Sequence, residues 1–346
     1  MYLLGIALAI TYGLEEFLWS FILVCLILIV IIVGAAFEGL RFFQWIFIIA
    51  FIGQIILVIM DVFSLIALAI YCTFLGIAIL CSIIFGEANF NRVSMTGPFE
   101  VGHKDIFCSK DGRAISVWYP MDREEHKKTI KEKGRNTYYF RYGYSSRVGL
   151  TKATASWGTD DHVNPWFFKY IDDVKMDTCQ DGKLSKVFNE RELVPMIYCH
   201  GLTANRVTQS VSCRDFASHG FLVFSIDHFD GTANYARKQN GEEKYWSSNH
   251  DLLDKKLRQD QLAIRIEECV NLIDDIFKEK YAQEVLGFPE GVKLDLDKFS
   301  IGGHSFGGMT AIGVSNKDER VKATFGMDPW VWAITEDIDA GTYKVK

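Results

Sequence analysis

The sequence lacks the close cysteine pairs that usually bind a metal ion. Its eight cysteines are scattered over 346 residues, and no C-x-x-C pair occurs among them. Because zinc sites normally place cysteines at such short spacing, the pattern predicts no metal site. Three of the cysteines lie in apolar segments, where a disulfide has no role, and we expect all eight to be free thiols. Free thiols indicate a reducing compartment.

The chain also lacks an excess of basic residues, and its charges are unevenly distributed. With 37 lysines and arginines against 43 aspartates and glutamates, the formal net charge is −6, which gives no reason to expect nucleic acid as a partner. Residues 1–86 contain only five charged side chains. This contrast predicts two parts, a membrane region over residues 1–86 and a separate, charged domain over residues 89–346.

Three uncharged stretches in the first part are long enough to cross a bilayer. They cover residues 17–37, 42–60 and 62–85. At about 1.5 Å per residue each reaches the roughly 30 Å of a hydrocarbon core, and a buried helix of a globular domain is rarely apolar on all sides for so long. The sequence therefore predicts three transmembrane helices and an integral, multi-pass membrane protein.

The start of the chain shows no signal peptide, because it has no basic n-region and no cleavage site of small residues. Residues 1–14 are apolar but short, which leaves a truncated span or an interfacial segment as alternatives. Arg41 favours a cytoplasmic position for the first loop, and two further spans return the chain to the same side. We therefore expect the second part to be cytoplasmic.

The second part alternates strand and helix patterns. Nearly continuous apolar runs, typical of parallel strands covered on both faces, predict strands at residues 194–199, 221–226, 298–301 and 321–327. Helical spacing covers residues 207–219, residues 252–279 and a stretch that begins at residue 309. Residues 106–108 and 114–119 predict a preceding β-hairpin. This order predicts a doubly wound, mostly parallel α/β sheet.

The stretch Gly303-His304-Ser305-Phe306-Gly307 has the form G-x-S-x-G, the nucleophile-elbow pattern of α/β-hydrolases. The serine of such an elbow lies on a strained turn between a strand and a helix, so residues without a Cβ are needed at Gly303 and Gly307. A strand pattern precedes the turn and a helical pattern follows it. The sequence therefore predicts Ser305 as a nucleophile in a fold of α/β-hydrolase type.

Ester hydrolysis by a serine also needs a base, a carboxylate that holds the base, and donors for the developing oxyanion. Asp328 follows the next strand after the elbow and should lie at the same carboxyl edge of the sheet, which predicts it as the acid. Gly201 permits a close turn after an earlier strand. The amides of Leu202 and Phe306 can then form the oxyanion hole.

The general base is missing from its expected place. In α/β-hydrolases the order is serine, acid, histidine, but no histidine follows Ser305 in this sequence. His228 and His250 are alternatives, since their loops can face the same edge of the sheet. The simplest expectation is a sequence that lacks its base histidine and its final strands. We then expect little or no hydrolysis by the chain as written.

These motifs resemble the platelet-activating-factor acetylhydrolases of the plasma and type II intracellular kind, which are serine-dependent phospholipases. The resemblance covers about residues 96–332. The stretches that carry it are T-G-P-F-E-V-G at 96–102, H-G-L at 200–202, A-S-H-G-F at 217–221, R-Q-D-Q at 258–261, G-H-S-F-G-G at 303–308 and M-D-P-W at 327–330.

The resemblance implies hydrolysis of the ester at the second glycerol carbon of phospholipids that carry acetyl or short, oxidised acyl chains. It implies Ser305 as nucleophile, Asp328 as acid, the Leu202 and Phe306 amides as oxyanion donors, and a histidine placed beyond Lys346. We expect phospholipid and a lipid bilayer as partners, no calcium requirement and no cofactor. The alternatives are a general membrane-bound carboxylesterase of dienelactone-hydrolase type, and a membrane-tethered pseudohydrolase that binds lipid or a partner.

Overall fold

The computed structural model of the chain describes residues 4, 6, 7, 10, 22–29, 31, 42–60, 65–85, 93–134, 137–155, 163–247 and 252–343. By its internal contacts the chain forms two units. One is Met1–Asn89 with Asn164–Val174, and the other is Phe90–Val163 with Lys175–Lys346. The division predicted from the sequence, at residues 86–89, stays a prediction.

The first unit contains two long helices, α1 (Phe42–Ile59) and α2 (Leu65–Phe85), and a 3-10 helix at Pro165–Ile171. Aromatic side chains pack the two long helices together. The rings of Phe47 and Phe51 stack with centroids 5.8 Å apart, and the ring of Tyr71 lies 6.2 Å from that of Phe47. All three are buried in one apolar cluster, so part of the apolar content of this unit serves contacts between helices.

The prediction of an N-terminal transmembrane region, and with it of a multi-pass membrane protein, is wrong. Within the ranges that the structure describes, no helix combines the length and the apolar character needed to span a bilayer. The first predicted span, residues 17–37, lies mostly outside those ranges. The other two coincide largely with α1 and α2, whose aromatic side chains pack on one another. An uncharged run therefore does not by itself distinguish a membrane span from a helix packed against another helix.

The second unit is organised around a seven-stranded sheet. Its strands, in order across the sheet, are β11 (Ala323–Met327), β10 (Ser300–His304), β6 (Val194–Cys199), β7 (Phe221–Ile226), β2 (Ala114–Met121), β1 (Glu100–Phe107) and β5 (Cys179–Gln180). Two smaller sheets pair β3 (Thr137–Tyr138) with β4 (Lys175–Met176) and β8 (Tyr235–Arg237) with β9 (Glu243–Tyr245).

Helices lie between these strands in the chain. They are α3 (Arg123–Lys133), α4 (Tyr144–Ala155), α5 (Ser210–Ser218), α6 (Lys255–Ile276), α7 (Tyr281–Glu284), α8 (Phe306–Lys317) and α9 (Thr335–Asp339). Short 3-10 helices occur at Lys186–Asn189, Leu296–Lys298 and Trp332–Ile334. The helix predicted at residues 252–279 is α6, which begins later because the Asp254 side chain accepts from the Leu257 amide and caps its first turn.

The mostly parallel sheet predicted from the sequence is confirmed. Strands β11, β10, β6 and β7 are parallel to one another. Strand β2 is antiparallel to β7 and to β1, and its pairing with β1 is the predicted hairpin. In β6 and β7 every residue after the first is buried, as expected for strands with both faces covered. Their apolar side chains form one core with those of α6 and α8.

The four parallel strands end at one edge of the sheet. Because they run in the same direction, the residues that follow each strand meet there. These are His200 after β6, the Asp227–His228 pair after β7, Ser305 after β10 and Asp328 after β11. Some of the site residues predicted from the sequence fall within the described ranges. Each of these lies at this carboxyl edge or in the turn beside it.

Candidate active site

Ser305 lies on the turn between β10 and α8 with backbone angles φ 55° and ψ −120°. A positive φ is unfavourable for a residue with a Cβ and indicates a strained turn. Main-chain hydrogen bonds hold that turn. The Ser305 amide donates to the Met327 carbonyl at 3.0 Å, and the Ser305 carbonyl accepts from the amides of Gly308 at 2.9 Å and Trp330 at 3.0 Å. The strain predicted for a nucleophile elbow is therefore present. The Ser305 residue is half-buried.

The two glycines of the elbow are needed because backbone atoms of neighbouring residues occupy the space that a Cβ would fill. A Cβ on Gly307 would collide with the carbonyl oxygen of Cys199 and lie 2.8 Å from that of His200. A Cβ on Gly303 would lie 2.5 Å from the carbonyl group of Gly307 and 2.6 Å from that of Cys199. Since these neighbours are backbone atoms, they cannot rotate away as a side chain would. The end of β6 therefore excludes any larger residue from both positions.

The loop after β6 approaches the serine. A Cβ on Gly201 would lie 3.2 Å from the Ser305 Cβ, which places the main chain of this loop beside the turn. The next residues are held in a strained conformation: Thr203 has φ 59°, and its amide donates to the Thr232 carbonyl at 2.8 Å. Within the described chain, the amides of Leu202 and Phe306 donate no hydrogen bond. Two unused donors therefore flank the turn.

Arg265, on α6, binds the start of this loop. The sequence analysis did not predict a role for this residue. It exposes no side-chain surface. Its Nη1 donates to the His200 carbonyl at 2.7 Å, and its Nε donates to Asp230 Oδ2 at 2.9 Å. The guanidinium also lies 4.7 Å from the centroid of the Phe306 ring. One cation thus contacts both segments whose amides flank Ser305. An arginine on the same helical face as the apolar Leu262 was the available signal.

Asp328 follows β11 with φ 46° and is exposed. The residues on either side of it are tied to the elbow, because the Met327 carbonyl and the Trp330 amide both bond to the main chain of Ser305. In the ranges that the structure describes, no hydrogen bond or ion pair is made by the Asp328 carboxylate. The structure therefore brings the predicted acid to the elbow without giving it a partner.

The histidines at this edge are not free to act on the serine. His200 and His228 are fully buried, and burial, together with the nearby Arg265 cation, holds the pKa of each imidazole well below its usual range. His200 Nδ1 lies 2.7 Å from the Gly201 carbonyl oxygen, and its Nε2 accepts from the His228 amide at 3.2 Å. His228 Nδ1 lies 2.7 Å from Glu268. His228 is therefore unsuited as a replacement base, and His250 lies outside the described residues.

His304, directly before the serine, is half-buried, and its Nδ1 lies 3.1 Å from Gln209 Nε2. Within the described chain, the Ser305 hydroxyl makes no hydrogen bond. The part of the chain that the structure describes therefore places a serine hydroxyl, two unused amides and a carboxylate at this edge, and holds no imidazole against the serine.

A cavity of about 300 Å³ lies at the opposite edge of the sheet, where β6 and β7 begin. Val194 and Phe221 line it together with charged side chains that include Arg191 and Lys298. In open α/β sheets the reacting groups gather at the carboxyl edge. We therefore assign this cavity no part in the chemistry at Ser305.

A serine on a strained strand-to-helix turn, at the carboxyl edge of a mostly parallel sheet, defines the class of α/β-hydrolases. Comparison with known families agrees with this class. The family model described as platelet-activating factor acetylhydrolase, isoform II, matches residues 84–344. The chain belongs to this family, as the resemblance seen in the sequence indicated.

Curated relatives carry the same name. The chain is 28% identical to the platelet-activating factor acetylhydrolase of Canis lupus familiaris over 264 residues, and 30% identical to that of Cavia porcellus over 260 residues. Each match covers 70% of this chain and 56% of the relative, so the chain spans a little over half the length of these proteins. A solved ferulic acid esterase from Streptomyces cinnamoneus matches 66% of this chain and 59% of its own, at 16% identity and a TM-score of 0.43.

Proposed function

We propose that this protein is a serine-dependent carboxylic ester hydrolase of the platelet-activating-factor acetylhydrolase type. The strained turn at Ser305 is the observation that carries the proposal, because it sets a half-buried hydroxyl beside two unused amide donors. Membership of the family supports the same activity, and the names of the relatives support the substrate class. Ser305 is the nucleophile, Asp328 the acid, and Leu202 and Phe306 the oxyanion donors.

The reaction proceeds in two halves. Ser305 Oγ attacks the ester carbonyl carbon while a base takes its proton, and the carbonyl oxygen becomes an oxyanion that accepts from the Leu202 and Phe306 amides. The tetrahedral intermediate then expels the alcohol, which receives the proton from the base, and an acyl-serine remains. Water attacks this acyl group by the same steps and releases the carboxylic acid. Asp328 serves to orient the base.

The substrate of the proposed reaction is a phospholipid with an acetyl or short, oxidised acyl chain at the second glycerol carbon. The leaving alcohol is then a lysophospholipid. Catalysis depends on donors that already point to the oxyanion before the reaction starts, since no reorganisation is then needed in the transition state. Arg265 contributes here by holding the His200 carbonyl, which fixes the loop that carries Leu202.

Labelling with a fluorophosphonate probe tests the nucleophile directly. We expect the wild-type chain to be labelled once, Ser305→Ala to lose labelling, and Ser247→Ala, which removes an exposed serine, to retain it. Any hydrolysis of an acetyl-glycerophosphocholine ether lipid by the wild-type chain should disappear in Ser305→Ala, whereas labelling does not require that turnover be fast. Labelling that survives in Ser305→Ala would remove the basis of the proposal.

A second candidate is a lipid- or partner-binding pseudohydrolase. It is favoured by the Asp328 carboxylate, which is exposed and has no partner in the described chain, and by the burial of His200 and His228. Slow or absent labelling of Ser305, together with binding of a non-hydrolysable ether phospholipid to the folded chain, would select this candidate over the enzyme.

A further inference from the structure

Three potential metal ligands meet in the core beneath the loop that follows β6. Cys199 is the last residue of β6, His228 follows β7, and Cys269 lies on α6. Their ligand atoms all lie within 4.8 Å of one another, and the two sulfur atoms are 3.6 Å apart. All three side chains are fully buried. These residues are 29 and 41 positions apart in sequence, so no short-spacing motif could reveal them.

The His228 ring is in the state that a metal ligand needs. Its Nδ1 lies 2.7 Å from Glu268 Oε2, so a proton on Nδ1 is donated to the carboxylate and Nε2 keeps its lone pair. Nε2 is buried, and no described residue of the chain makes a hydrogen bond with it. Metal-binding histidines usually donate their other ring nitrogen to a carboxylate in this way. A buried acceptor without a partner is otherwise costly.

Glu268 is itself supported as a carboxylate. Its Oε1 accepts from the Phe229 amide at 2.9 Å, and Arg113 Nη1 lies 3.4 Å from Oε2. His228 therefore contacts the carboxylate of Glu268, and Glu268 in turn contacts the guanidinium of Arg113.

The separation of the two sulfur atoms suits zinc. In a tetrahedral site with zinc–sulfur bonds of about 2.3 Å, two sulfur atoms lie about 3.8 Å apart, close to the observed 3.6 Å. Charge also balances, because two thiolates neutralise one divalent cation and a neutral imidazole adds none. Cysteine sulfur and imidazole nitrogen are the ligands that zinc prefers. A disulfide, in contrast, would require the sulfurs to approach to about 2.05 Å.

We propose that Cys199 Sγ, Cys269 Sγ and His228 Nε2 form a zinc-binding site in the core of the second unit. On binding, both thiols release their protons to solvent and the ion keeps one open position for a small ligand. The site joins three parts of the fold: the end of β6, helix α6, and the segment that follows β7. It therefore fixes the strand end from which the loop at Leu202 begins, and it does not depend on the proposed esterase activity.

Metal analysis tests the site on the full chain, expressed in zinc-supplemented medium and purified without chelator. We expect about one zinc ion per chain in the wild type. The variants Cys199→Ala, Cys269→Ala and His228→Ala should each bind zinc at least about tenfold more weakly. Cys213→Ala removes another buried cysteine that is not in the cluster and should keep the ion. Zinc retained in all three ligand variants would overturn the proposal.

Cobalt gives a second readout on the wild-type chain alone, which decides the matter where a variant does not fold. Replacement of zinc by Co²⁺ should produce a thiolate-to-cobalt charge-transfer band in the near ultraviolet, and bound metal should protect two thiols from an alkylating reagent. A chain that takes up no metal after exposure to excess zinc contradicts the site. So does a Cys199–Cys269 disulfide, seen as the loss of two hydrogens by mass spectrometry.

Discussion

The carboxyl edge of the sheet has two halves that differ in how they are held. On one side, the elbow and the loop after β6 rest on a fully buried pair, Arg265 and Asp230, and on main chain packed too closely for any Cβ. On the other side, Asp328 follows an edge strand with exposed residues, and in the described chain its carboxylate has no partner. The proposed oxyanion donors are thus held by buried contacts, while the proposed acid is held by main-chain bonds alone.

This difference shows which part of the catalytic machinery the chain organises by itself. The proposed nucleophile and the two amides depend on contacts among β6, α6 and α8, all of which lie in one core. The proposed acid needs an imidazole to act on, and the described residues supply none in reach of Ser305. We therefore expect substitutions on the first side to destabilise the protein, and substitutions on the second side to leave its stability unchanged.

The largest expected effect is that of Arg265→Ala. It leaves the buried Asp230 carboxylate without its cation and the His200 carbonyl without its donor, so the free energy of unfolding should fall by about 3–5 kcal/mol. Urea unfolding measures this loss. Arg320→Ala breaks a partly exposed pair with Asp318 and serves as the control, with an expected loss of at most about 1 kcal/mol.

A double variant sharpens this prediction. Arg265→Met combined with Asp230→Leu removes both charges from the core, so no buried carboxylate is left unpaired, and the double variant should be more stable than Arg265→Met alone. Equal or lower stability of the double variant would mean that the pair is not what holds the loop after β6.

The next largest effect is expected for Gly307→Ala. The added Cβ meets the Cys199 carbonyl, which is backbone and cannot give way, so we expect a loss of about 3 kcal/mol or more in the free energy of unfolding. Labelling of Ser305 by a fluorophosphonate should also be lost. Gly291→Ala is the matched control, since a Cβ there meets nothing closer than 3.7 Å, and its stability should stay near that of the wild type.

A moderate effect is expected from pH, through His103 on β1. This side chain is fully buried, and burial lowers the pKa of its imidazole to about 4. Below its usual pKa of about 6.5 the unfolded chain takes up a proton that the folded chain does not. The contribution of His103 to stability should therefore decline as pH falls from about 6.5 to about 4, and then level off.

Urea unfolding of the wild type and of His103→Asn at pH 7.5 and pH 5.0 measures this contribution. The wild type should lose more stability between the two pH values than the variant does, because the variant has no imidazole to protonate. An identical loss in both proteins would show that His103 is not kept neutral by the fold.

The smallest effect on stability is expected for Asp328→Asn. The side chain is exposed and unpaired in the described residues, so the free energy of unfolding should change by less than about 0.5 kcal/mol. Under the proposed function, hydrolysis should nevertheless fall by about 10³-fold or more, since the base loses its orienting carboxylate. A stability loss comparable to that of Arg265→Ala would contradict the contrast between the two halves.

What the sequence could predict was local. The G-x-S-x-G stretch and the apolar runs of β6 and β7 each lie within a few consecutive residues, and the predicted strands and the strained turn at Ser305 are confirmed. Asp328, Leu202 and Phe306 lie at or beside the carboxyl edge, because parallel strands share that edge. Their catalytic roles stay predictions.

The sequence could not predict contacts between residues that are far apart in the chain. The contact of Arg265 with His200, and the cluster of Cys199, His228 and Cys269, each join residues from separate elements. In both cases the missing information was which elements become neighbours. The transmembrane prediction failed as well, since none of the helices in the described ranges has the length and apolar character to span a bilayer.

The contact between the Cys199 carbonyl and the elbow glycines has one further consequence. The main chain on either side of Ser305 packs against the carbonyl group of Cys199 and not against the Cys199 side chain. That side chain is fully buried in the core and takes no part in the contact with the glycines. A substitution of Cys199 that the core accommodates should therefore leave the reactive hydroxyl in place.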